Sequence, residues 1–147
     1  MIRTDHEYEV AVRRVQQQRE RLRQQKESFA AEGLTAREVS RALQPQESFL
    51  AGLEDEVADY ERLKRGQFGT VDDLHAIGPL LVRLRVAKGL SQRELAELLN
   101  VDPSQVSRDE RNDYHGITLD RAARIMHALG YQLSAEVRDT RSEQTTA

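Results

Sequence analysis

The chain has no cysteine among its 147 residues. It therefore carries no disulfide and no thiolate metal site, an absence that suits the cytoplasm. Aromatic residues are scarce at 5%, and the hydrophobic share is 38% against 32% charged. Such a mixture supports compact helical units and leaves little for one large shared core. At this length one domain or two small ones are expected. Long apolar runs are also missing. The opening "MIRTDHEYEV" is neither a signal peptide nor a span, so a soluble cytoplasmic protein without a membrane partner is expected. No excess of positive charge is present either. A net charge of −3 argues against polyanion binding driven by bulk charge. The four histidines, His6, His75, His115 and His127, share no metal-ligand spacing, and no HExxH, P-loop or nucleophile-elbow pattern occurs. "VDDLH" at 71–75 reads as a helix cap rather than a metal site. No enzymatic activity, metal or cofactor is expected.

Helix is what the sequence offers instead. Residues 5–31 lack Pro and Gly and are rich in Gln, Arg and Glu, all good helix formers. Tyr8, Val15, Leu22 and Phe29 repeat every seven residues as half of a coiled-coil seam. The other half, near Ala11 or Val12, Gln18 and Gln25, is mostly polar, so the stripe needs a partner helix. Gly33 ends the run. Thr35, with Glu38 three residues on, opens a short helix or structured connection expected to break before Pro45. Helix resumes over 46–65, with Phe49, Leu53, Val57, Tyr60 and Leu63 or Lys64 on one face. The two faces can zip as an antiparallel hairpin or into a dimer. Between Arg13 and Lys26 stand six basic residues and one acidic one, Glu20. This is either a solvated face or a contact for nucleic acid or an acidic partner. "RGQFGT" at 65–70, with two glycines and no periodicity, is the linker.

Residues 71–130 are patterned as four short helices. The first, "IGPLLVRLRVAKG", has Pro79 near its start and Gly89 at its end. Ser91 and Glu94 form a capping box for "QRELAELL". Asn100 stands where a tight turn needs a left-handed residue. Asp102 and Pro103 start a third helix reaching about Asn112, and Thr118 caps a fourth that Gly130 closes. "YQLSAEVRD" then alternates Tyr131, Leu133, Ala135 and Val137 against polar neighbours, the pattern of a half-buried strand. A lone strand must pair, most simply with its own copy across a dimer axis. The chain ends in a polar tail, 139–147. The expected organisation is thus an N-terminal hairpin over 1–70 for dimerisation or partner binding, a second helical unit over 71–138, and the tail.

In "SQRELAELLNVDPSQVSRDE" the apolar positions Leu95, Leu99, Val101 and Val106, with small Ala96, are those of two helices packed across a tight turn. The segment 80–130 resembles the Cro/C1 (Xre) type helix-turn-helix domain, whose third helix enters the major groove. The resemblance implies an all-α fold, here with one short terminal β-strand, and double-stranded DNA as partner. It places Ser104, Gln105 and Arg108 where bases are read, and Arg108 can donate twice to a guanine edge. It places Gln92 and Asn112 against the DNA backbone. It further implies an internal ion pair between Arg85 and Glu110. Asp109 departs from the pattern, since its place usually holds an apolar or aromatic residue, and an unpaired carboxylate there must reach water or a basic neighbour. With eight basic and seven acidic residues between 80 and 130, binding through phosphate neutralisation is modest for one subunit, and dimerisation would multiply it. The N-terminal half, "MIRTDHEYEVA" and "LEDEVADYERLKRGQF", is similar to the helical segments of HigA-like antitoxins. These readings lead to a homodimeric repressor on an inverted-repeat operator. The alternative is an antitoxin that mainly neutralises a toxin protein.

Overall fold

The structure is a computed structural model, and it describes residues 1–141. Among these residues the chain is all helical: α1 (Asp5–Ala31), α2 (Ala36–Lys64), α3 (Ile77–Ala87), α4 (Gln92–Leu99), α5 (Pro103–Arg111) and α6 (Leu119–Ala128), with a 3-10 turn at Leu74–Ala76. Thr4 caps α1 by accepting from the Glu7 N–H, and Thr35 forms a capping box with Glu38 at the head of α2. Between them Gly33 takes φ +89°, a backbone that side chains rarely adopt. The two long helices close on each other as an antiparallel hairpin within one chain. Val15 and Leu22 of the heptad stripe are buried, and Tyr8 stacks on Tyr60 with ring centroids 5.2 Å apart. The tyrosine hydroxyls donate to carboxylates of the facing helix, Tyr8 to Glu61 and Tyr60 to Asp5, each at 2.7 Å.

Helix α2 does not break before Pro45; it runs on through it. A proline inside a helix costs about 3 kcal/mol by deleting one hydrogen bond and crowding the preceding turn. Here its ring lies on the solvent side, while Val39 and Leu43 just before it are buried with Leu22. Packing on both sides of the proline holds the helix continuous where the local rule would stop it.

A second correction concerns the C-terminus. Residues 131–137 form no strand, and 131–139 have no regular structure. Tyr131 is drawn back onto the bundle, its ring edge-on to Phe68 at 5.3 Å and under the Lys88 ammonium at 4.6 Å. Among the described residues no strand is present for this segment to pair with. Leu133 is 45% exposed and Val137 96%. The expected polar tail lies outside the described residues from 142 onward.

The core of α3–α6 gathers Ile77, Leu81, Leu84, Leu95, Ala96, Val106 and Ile125. A smaller cluster joins this bundle to the hairpin: Val86 of α3 is buried with Ile2, Tyr60 and Leu63. Phe68, in the linker, packs against both clusters. No helix among the described residues is long and apolar enough to cross a membrane.

Candidate nucleic-acid interface

Helix α4 starts on the Ser91–Glu94 capping box and stops at Asn100, which takes φ 54° and ψ 47°. That left-handed residue turns the chain sharply, and the Val101 N–H donates back to the Ala96 carbonyl at 3.0 Å. Asp102 then caps α5 by accepting from the Ser104 N–H, with Pro103 in its first turn. The Ser104 N–H and side chain hold the Asp102 carboxyl below the ordinary carboxylate range, and the Arg108 guanidinium adds to this. Val106 is buried against the core, which fixes the rotation of α5 about its axis. Ser104 and Arg108 consequently face solvent one turn apart, and the Arg108 Nε donates to the Ser104 carbonyl at 3.3 Å. Gln105 is half-buried at the edge of this face, and Asn112 is exposed as the residue that ends the helix.

Arg85 and Glu110 meet inside the bundle. The guanidinium donates through Nε to Oε1 at 2.5 Å and through Nη2 to Oε2 at 2.7 Å, with side chains 6% and 0% exposed. Arg85 Nη1 also donates to the Leu90 carbonyl at 2.6 Å. Gln92, expected at the DNA backbone, is half-buried, and its Nε2 donates to Glu110 Oε2 at 2.9 Å. The side-chain amide therefore supports the ion pair. It leaves the head of α4 to face outward through its backbone and through exposed Arg93.

Asp109 pairs with Arg121, which reaches across from the first turn of α6. Nothing in the local sequence indicates this, because the partner lies twelve positions away on another helix. Arg111 was missed as well. It is exposed in the last turn of α5, three residues after Arg108, a spacing that puts both on one side of the helix.

The loop after α5 is pinned by unusual backbone. Asp113 and Tyr114 both have positive φ, 48° and 52°. Tyr114 is buried, and burial, then the carboxylates of Glu110 and Asp109, push its hydroxyl well above the ordinary phenol range. A cavity of about 390 Å³ at the far end of the hairpin is lined by Gln18, Arg21 and Gln25, and one of about 500 Å³ lies beside Leu74, His115 and Leu119. Among the described residues no three His, Asp or Glu side chains gather as a metal site.

Two helices joined by a left-handed turn, the second offering a polar and basic outer face, define a helix-turn-helix reader of DNA. Residues 81–135 match the family model described as "Helix-turn-helix". This part of the chain is a Cro/C1-type helix-turn-helix domain, the DNA-binding unit of transcription regulators. Neither the comparison with curated proteins nor that with solved structures gives a match.

Proposed function

We propose that the chain is a sequence-specific repressor that binds an inverted-repeat operator as a homodimer, α5 lying in the major groove and Arg108 reading a guanine edge. The observation that carries this reading is the outer face of α5, where Ser104, Arg108 and Arg111 project together while Val106 and Glu110 anchor the opposite face. Ser104 and half-buried Gln105 add shorter polar contacts, and Asn112 lies at the helix end beside the phosphate path. Repression is the action that such a reader performs by occupancy alone. Two copies are favoured because one reading helix offers few phosphate contacts, and joined half-sites raise affinity through effective concentration.

Purified full-length chain, used to select duplexes from a random pool, should enrich one motif. Against single-base variants of that motif, Arg108→Ala should cost roughly 1–3 kcal/mol and relax preference at one position. A pool that shows no enrichment refutes sequence-specific binding. An Arg108→Ala variant with every preference intact refutes the base-reading assignment alone.

A further inference from the structure

Between residues 80 and 130 most cations are already engaged. Arg83 pairs with Asp59, Arg85 with Glu110, Arg93 with Glu97, Arg121 with Asp109 and Arg124 with Asp120. Lys88 lies over the Tyr131 ring. Among the described residues, Arg108 and Arg111 are left without a carboxylate at ion-pair distance, and both project from the outer face of α5.

The pairs are not equally firm. Arg93–Glu97 and Arg124–Asp120 are single-helix pairs with side chains 65% to 80% exposed. Exposed pairs of this kind contribute little and give way readily to a phosphate. Arg121–Asp109 joins two helices and is sheltered, with side chains 37% and 24% exposed. Its carboxylate is the residue immediately after Arg108, so the guanidinium it holds stands at the edge of the reading helix.

We propose that Asp109 is a specificity-determining residue of the DNA interface: it holds Arg121 off the phosphate backbone, so that this guanidinium adds no sequence-blind contact. This rests on the DNA-binding reading above and deepens it. A free cation at the interface attracts every duplex alike, since phosphates carry no sequence information. Specificity is the ratio of operator to random affinity, and each added phosphate contact strengthens binding to the competitor. An aliphatic residue in place of Asp109 would release Arg121. The carboxylate keeps the domain weakly basic where weak basicity favours discrimination.

The test uses the full chain, a duplex selected by the wild type, and a scrambled duplex of equal length. Fluorescence anisotropy is followed over a salt series, and circular dichroism confirms helix content. Asp109→Asn should steepen the plot of log affinity against log salt by about 0.9, the increment for one further phosphate contact. It should also tighten binding to the scrambled duplex several-fold, lowering the operator-to-scrambled ratio. The double variant Asp109→Asn/Arg121→Gln, neutral at both positions, should return to the wild-type slope. An unchanged slope in folded Asp109→Asn overturns the proposal. So does a double variant flatter than the wild type by about 0.9, which would put Arg121 on phosphate already. Where Asp109→Asn fails to fold, Asp109→Ser takes its place, since it also frees Arg121 and is read by the same slope. A wild-type chain that binds no duplex overturns the DNA-binding reading itself, and this proposal falls with it.

Discussion

Glu110 accepts three hydrogen bonds in the interior, two from Arg85 and one from Gln92. A buried carboxylate without such donors would take up a proton or open the fold, because desolvation outweighs any long-range attraction. Removing either charged partner strands the other. Arg85→Met or Glu110→Leu should each lower the unfolding free energy by about 3–5 kcal/mol, while the double variant should recover much of the loss. Urea melts of the three variants measure the coupling, and additive losses would mean that the two side chains contribute independently. The same network takes in Gln92, whose half-buried amide donates one of its two N–H groups to Glu110. Its amide already satisfies the carboxylate oxygen that would otherwise be left with one donor.

At the scale of elements, the sequence is most legible where a rule is local. Ser91, Asp102 and Thr118 each accept a backbone N–H at a helix start, and Asn100 makes the left-handed turn. These need only a few neighbouring residues to be inferred. Pro45 shows the limit, since the local preference to stop yields to apolar contacts made by Leu43 with the other helix. The alternating 131–137 segment shows another limit: alternation describes two faces, but pairing needs a second edge. Arg121 reaching Asp109 was out of range for the same reason, being decided by where the folded bundle places the head of α6. Gly78 is a further case. A Cβ there would stand 2.1 Å from the Asp113 carbonyl oxygen, so the loop after α5 can close on the head of α3 only over a glycine. Gly78→Ala should cost about 1–3 kcal/mol, the range for overpacking a tight site, and should weaken operator binding by loosening the end of the reading helix. Thermal melts and anisotropy measure the two effects, and an unchanged melting midpoint would show that the loop can move aside.

For the whole molecule, the open question is what the hairpin and the C-terminal segment do for a pair of reading helices. The heptad stripe is already satisfied within one chain, so α1 and α2 need no second copy to bury it. The basic stretch of α1 is largely spoken for as well, with Arg19 on Glu54, Arg23 on Glu20 and Glu27, Lys26 on Glu47 and Arg14 over the Phe49 ring. Leu133 and Val137, by contrast, stand exposed just past Tyr131, which ties that segment to the bundle. If the proposed homodimer uses this segment, these two side chains are what it offers to the second copy, and Tyr131 ties them to the bundle through Phe68 and Lys88. Half-sites about one helical turn apart, roughly 34 Å, would follow for readers of this kind. Leu133→Ser combined with Val137→Ser should leave helix content unchanged, because neither side chain lies in the core. The variant should sediment more as monomer, bind the selected operator at least tenfold more weakly, and protect one half-site in footprinting. A variant that keeps the wild-type mass and the full footprint would remove the C-terminal segment from the interface and return the question to the outer faces of α1 and α2.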